Sequence, residues 1–307
     1  MTPGPLHPQL EALIAAQETA PEDDGPPSLE AIRDGYLQVA IERGGAIEPV
    51  DAVEDVVFPR EDPEGLQAGG SVHARVYTPL HGPRVPGRLV WLHGGGWCLG
   101  DLEGFDRVCR SLANAGGFDV ASIDYRLAPE APYPAAVQDA DAAVRWALSQ
   151  EGPVVVGGDS AGGNLAAVAV LHAATEVRAQ VLVYPATDAT MAGASYAEGD
   201  KPMLKVSEME ACWTAYRGDA EPGDPDLSPL RADLTGLPPT LVAIAGVDVL
   251  RSDGEAYAAA LQEAGVDVRL ARYEDMTHGF LRWGGVLDRS RELICELADF
   301  TAAHLSR

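Results

Sequence analysis

Ser160 stands in Gly158-Asp159-Ser160-Ala161-Gly162-Gly163, a hydroxyl flanked mostly by residues with little or no side chain. Upstream, His93-Gly94-Gly95-Gly96-Trp97 offers a run of three glycines. The first segment is a G-x-S-x-G pattern that can expose an attacking oxygen. The second can turn backbone N–H groups toward a ligand with no side chain in the way. Acyl transfer needs both: a nucleophile, and a cradle for the negative charge that develops on a carbonyl oxygen. Gly94 and Gly95 are the expected donors from the glycine loop, and Ala161, at a helix start just after the serine, is the third. One such donor typically contributes about 3 kcal/mol to transition-state stabilisation. The serine segment lacks the Gly-Lys-Ser/Thr ending that a phosphate-binding loop would carry.

A serine hydroxyl is a weak nucleophile without a base, and the base needs an acid to orient it. The chain has seven histidines. His278 follows an alternating apolar and charged run, Val268 to Tyr273, and sits in the turn-like Met276-Thr277-His278-Gly279-Phe280. It is the expected base. His93 reads as a residue that shapes the glycine loop, His172 falls in the helix after the serine, and His304 lies on a helix near the C-terminus. For the acid, Asp248 follows the apolar strand Leu241 to Gly246, at the end where parallel sheets gather their active groups. Asp253 reads as a first-turn helix acid, and Asp275 is too near His278 in the chain to reach its far nitrogen. The order serine, aspartate, histidine is one that a strand–turn–helix architecture can bring together.

The elements that must position these residues are legible around them. Val154-Val155-Val156 is β-branched and bounded by glycine and proline, which predicts a buried strand ahead of Ser160. Asn164 to Leu171 is rich in alanine and leucine, which predicts a helix behind it. Ser160 is thus expected on a tight, strained strand-to-helix turn. Arg88 to Leu92 predicts a strand before the glycine loop, and Gln180 to Tyr184 another after the serine helix.

These segments, with Tyr125-Arg126-Leu127-Ala128-Pro129-Glu130, Ser228-Pro229-Leu230, Asp248 to Gly254 and His278-Gly279-Phe280, resemble the bacterial hormone-sensitive-lipase family of esterases. Val249 departs from the family pattern, which usually has proline after the acid. The resemblance implies an α/β-hydrolase fold: a mostly parallel, eight-stranded central sheet flanked by helices, with a helical cap. It implies a serine carboxylesterase acting on short- to medium-chain acyl esters through an acyl-enzyme, with no metal and no cofactor. It also implies pairing of two copies through the edge strand or last helix, with Val286 to Leu305 as a candidate surface. The same motifs would serve an amide, a lactone or an acetylated small molecule. A dehydratase would alter the oxyanion or base residues, and a non-catalytic receptor on this scaffold would have no reason to keep serine, acid and histidine together.

Two regions stand outside the strand–helix alternation. Residues 1–48 carry Leu10, Leu13, Ile14 and Leu29, Ile32, Tyr36, Leu37, Ala40, Ile41 at helical spacing, joined by a Pro- and acid-rich connector from Glu18 to Pro27. Residues 188–230 carry Met191, Tyr196, Met203, Leu204, Met209, Trp213 and Tyr216. They are expected to pack together as two parts of a cap over Ser160, leaving 49–187 and 231–307 as the catalytic domain. A cap would exclude water and shape an apolar acyl pocket.

At 307 residues, 46% hydrophobic, the chain can bury a large α/β core. No run of eighteen apolar residues predicts a membrane span, and the N-terminus lacks the basic and apolar regions of a secretory signal. Cys98, Cys109, Cys212 and Cys295 lack metal-type spacing and fit free thiols in a reducing cytoplasm. A net charge of −25, with lysine only at positions 201 and 205, opposes binding to nucleic acid or an anionic membrane. By long-range repulsion it should also disfavour strongly anionic substrates.

Overall fold

The computed structural model describes residues 5–17, 27–60, 70–80, 82 and 84–307 of the chain. Of the connector expected from Glu18 to Pro27, residues 18–26 lie outside the described residues. Among the described residues, eight strands form one sheet in the order β1-β2-β4-β3-β5-β6-β7-β8. They are β1 Ala52–Pro59, β2 Ser71–Thr78, β3 Arg88–Leu92, β4 Asp119–Asp124, β5 Val154–Asp159, β6 Ala179–Val183, β7 Thr240–Val247 and β8 Val268–Thr277. β2 runs antiparallel to both β1 and β4, and every pairing from β4 to β8 is parallel.

The central parallel strands β5, β6 and β7 are apolar along most of their length because helices cover both faces. Every residue of β5, β6 and β7 is buried. One face carries α4 Ala135–Leu148, α5 Ala161–His172 and α8 Arg251–Glu263, whose core joins Val156, Leu165 and Ile244. The other carries α3 Leu102–Gly116 and α9 Asp288–Leu305, around Trp91, Phe105 and Leu297. In α5 ten successive residues from Ala161 to Val170 are buried, and the small alanines and glycines let this helix lie close to the sheet.

The expected strands are found, with β8 running on to Thr277, so that His278 follows it directly. His93, Ser160, Asp248 and His278 all stand just past the C-terminal ends of parallel strands, on one rim of the sheet.

Helices α1 Pro8–Gln17 and α2 Leu29–Arg43 precede the sheet, and α6 Ala194–Ala197 and α7 Val206–Arg217 lie between β6 and β7. α1 sits beside β8 and α9: His7 N–H donates to the Asp275 carbonyl at 3.0 Å, Gln9 bonds Asp288, and Leu10 is fully buried. α2 behaves differently. Of its fifteen residues only Ala40 is buried, because its apolar face, with Tyr36 and Val39 against the edge of the core, also lines a cavity.

Candidate active site

Ser160 occupies the turn between β5 and α5 with φ 54° and ψ −119°, a region that residues with a side chain rarely adopt. The turn is held by the Ser160 N–H, which donates to the Val183 carbonyl on β6 at 2.8 Å. It is possible only because the chain passes so closely that a Cβ at Gly162 would collide with the Leu92 carbonyl. The sharp turn lifts the hydroxyl out of the strand line and leaves Ser160 6% exposed.

His278 Nε2 lies 2.9 Å from Ser160 Oγ, and His278 Nδ1 lies 2.7 Å from Asp248 Oδ2. Asp248 is fully buried, and its other oxygen accepts the Leu250 N–H at 2.9 Å. That bond closes the turn after β7 without the proline the resemblance led one to expect. A carboxylate on Nδ1 makes that nitrogen the donor and leaves Nε2 free to accept the serine proton. The other acids are occupied elsewhere. Asp253 accepts the N–H groups of Thr187 at 3.0 Å and Asp188 at 3.3 Å, and burial pushes its pKa up to about 8. It pins the start of the 188–230 segment to α8. Asp275 pairs with Arg289 at 3.1 Å.

The glycine loop after β3 departs from expectation at one position. The Gly94 N–H donates to Asp159 Oδ1 at 2.8 Å, so this amide is already engaged and is not open to a substrate. Gly95 and Gly96 follow with φ 130° and 59°, where glycine has no steric cost. Among the described residues the N–H groups of Gly95, Gly96 and Ala161 have no acceptor. The available donor set is therefore displaced by one residue along the loop. Burial raises the pKa of Asp159 to about 6, against the lowering effect of Arg282 and the Gly94 bond.

His93 is fully buried, stacked on Tyr125 with ring centroids 4.3 Å apart, and its Nδ1 lies 3.0 Å from the Gly94 carbonyl. The Tyr125 hydroxyl donates to the His93 carbonyl at 2.7 Å. Burial lowers the His93 pKa to about 4, so the ring is neutral and shapes the loop.

Above Ser160 lies a cavity of about 300 Å³, lined by Ile32, Tyr36 and Val39 of α2, by Met203, and by Leu99, Arg43, Arg282 and Trp283. α2 is clamped over it by Arg33, which bonds both oxygens of Glu130 at 2.8 Å and the Cys98 carbonyl at 2.9 Å. That pair holds the Glu130 carboxyl down at about 2. The 188–230 segment is held by Trp97, the residue after the glycines. Its indole is fully buried, 4.1 Å from the Trp213 ring and stacked on Tyr216 at 4.5 Å, both on α7. Thr277 Oγ1 also donates to the Pro202 carbonyl, tying this segment to the residue before His278.

Sequence reasoning missed the Asp159–Gly94 bond, the Arg33 clamp and Arg282. The tryptophan closing the glycine loop was the available clue to the α7 contact. Nothing in the local pattern marks Arg33 or Arg282, whose partners lie far away in the chain. Among the described residues no cluster of three or more His, Cys, Asp or Glu is arranged to hold a metal, and no helix is long and apolar enough to cross a membrane.

The profile of a family described by the α/β-hydrolase fold matches residues 89–282. The carboxylic ester hydrolase LipN of Mycobacterium tuberculosis is 45% identical over 262 residues, covering 78% of this chain and 68% of its own. An ethyl acetate hydrolase of Pseudomonas putida is 33% identical over 293 residues and covers 90% of each chain. Among solved structures, a hyperthermophilic esterase from the archaeon Pyrobaculum calidifontis superposes with a TM-score of 0.88 at 35% identity, covering 99% of this chain and 100% of its own.

Proposed function

Because the chain belongs to the hormone-sensitive-lipase-like esterases of the α/β-hydrolase fold and hydrolyses carboxylic esters, we propose that Ser160, His278 and Asp248 carry the reaction through an acyl-enzyme. His278 Nε2 takes the proton as Ser160 Oγ attacks the ester carbonyl carbon. Asp248 holds the ring in the productive tautomer and stabilises its charged form. The oxyanion forms against the N–H groups of Gly95, Gly96 and Ala161, the last at the positive end of α5. His278 then gives its proton to the departing alcohol oxygen as the C–O bond breaks. Water, deprotonated by the same ring, attacks the acyl-enzyme and releases the acid.

The observation that carries this reading is the unbroken hydrogen-bond chain of 2.9 and 2.7 Å from the serine oxygen to a fully buried carboxylate. α2 and the 188–230 segment act as the cap over it. Short to medium acyl chains fit best: a 300 Å³ cavity is at the small end for ligand pockets, and the Pseudomonas relative takes its name from ethyl acetate. The four cysteines are unpaired, which suits a reducing cytoplasm. The outer edge of β8 beyond its contact with His7, and the outer face of α9, are the surfaces on which two copies would pair. The test is Ser160→Ala. It should lower kcat by about 10⁶ on p-nitrophenyl butyrate, because the three residues act as a unit, and abolish labelling by an organophosphonate. Activity or labelling that survives the substitution would assign the nucleophile elsewhere.

A further inference from the structure

The cavity over Ser160 holds two guanidinium groups that make no ion pair among the described residues. Arg282 lies on the short turn after His278, is 6% exposed, and lines the cavity. Its guanidinium stacks on Tyr36 with 3.6 Å to the ring centroid and faces Phe105 at 5.5 Å. Arg43, at the end of α2, lines the same cavity and stacks over Trp283 at 5.0 Å. Nη1 of each is buried without a hydrogen-bond partner, and among the described residues neither makes an ion pair. Asp159 is the acid whose field reaches Arg282, but its oxygens face the Gly94 amide and the Tyr184 hydroxyl, the latter at 3.5 Å.

This arrangement runs against the composition. The chain has 47 acidic residues against 22 basic ones, so a buried arginine has a surplus of partners to choose from. Most of its arginines do find them, as Arg33, Arg75, Arg126 and Arg231 show. Leaving two like charges on one cavity with unmet donors is costly. Aromatic stacking offsets part of that cost and fixes both planes, but it leaves the N–H edges unused. Guanidinium edges of this kind match a carboxylate, which can accept two parallel N–H bonds.

We propose that this esterase takes esters that also carry a free carboxylate, with Arg282 and Arg43 binding that group while Ser160 attacks the ester. The inference rests on Ser160 being the nucleophile. The negative surface slows the approach of such substrates, and the arginine pair supplies local attraction inside the cavity. The carboxylate can belong to the acyl part, as in the half-ester of a dicarboxylic acid, or to the alcohol part, as in an O-acylated hydroxy acid.

The experiment compares matched neutral and anionic esters. Mono-p-nitrophenyl glutarate against p-nitrophenyl pentanoate probes the acyl side. O-acetyl-lactate against its methyl ester, followed by acid release, probes the alcohol side. In one of these pairs, Arg282→Gln should lower the anionic-to-neutral ratio of kcat/KM by about tenfold or more, chiefly through KM, as losing a charge-assisted hydrogen bond predicts. Arg43→Gln should lower it in the same pair by a smaller factor, and Arg282→Lys should restore part of it. Ratios unchanged in both pairs, with neutral esters still cleaved, would overturn the proposal and leave the nucleophile assignment standing. Failure of the wild type on every ester would instead strike at that assignment. Should Arg282→Gln not fold, inhibition of the wild type decides: competition by glutarate but not by glutaramide supports the arginine site, and equal inhibition overturns it.

Discussion

Asp248 shows how much of the chemistry depends on one hydrogen bond of 2.7 Å. Replacing it with asparagine keeps the shape of the site, since the Leu250 N–H can still be accepted by the amide oxygen. The amide would present either a donor or a weaker acceptor to Nδ1, and the ring would lose its productive tautomer. Asp248→Asn should therefore lower kcat by about 10⁴ with the fold intact, measured by steady-state kinetics beside circular dichroism. The hydrogen-bonded trio of serine, acid and histidine was legible in the sequence because each member follows a recognisable strand in a fixed order. The donor set was not fully legible. A run of three glycines says that N–H groups are available, but not which one a neighbouring carboxylate consumes. Asp159 is the residue that decides it, and its reach to Gly94 becomes visible only once β3 and β5 lie side by side.

At the scale of elements, the strands flanking the site and the serine helix could be read from β-branched runs and alanine-rich stretches, because burial on both faces leaves a strong apolar signal. Helix α2 was harder to interpret. Its apolar residues show helical spacing, yet Ile32 and Ile41 remain 41% and 38% exposed. A cavity and a core demand the same residue types, so periodicity alone cannot separate them. The 188–230 segment is fastened to the body by a histidine. His172 of α5 lies between Asp141 of α4 at 3.0 Å and Asp226 of the segment at 3.1 Å. These two carboxylates raise its pKa to about 10. The folded-state pKa is thus above the unfolded value of about 6.5, so the stabilisation is complete below that value and fades as pH rises through about 10. The melting temperature of the wild type should exceed that of His172→Gln at neutral pH, and the gap should shrink toward pH 10. A gap independent of pH would show that the imidazolium is not what holds the segment.

For the molecule as a whole, a net charge of −25 sets the background against which every local interaction acts. Self-repulsion of that size opposes the compact state and is long-ranged at low salt, where the screening length is about 30 Å at 10 mM and about 8 Å at 150 mM. Scanning calorimetry should show the melting temperature rising over that range of sodium chloride, whereas a chain held chiefly by its surface ion pairs would soften. The composition announced this field plainly. It gave no hint that two arginines without an ion pair among the described residues would stand inside it, since a count of charges carries no positions. A last consequence follows from Trp97. Its indole is gripped by α7, while its backbone immediately follows Gly95 and Gly96. Roof and anion cradle are therefore coupled through a single residue. Chimeras that import a foreign lid to alter substrate preference would jostle the catalytic amides as well, unless the graft brings its own aromatic socket for that tryptophan.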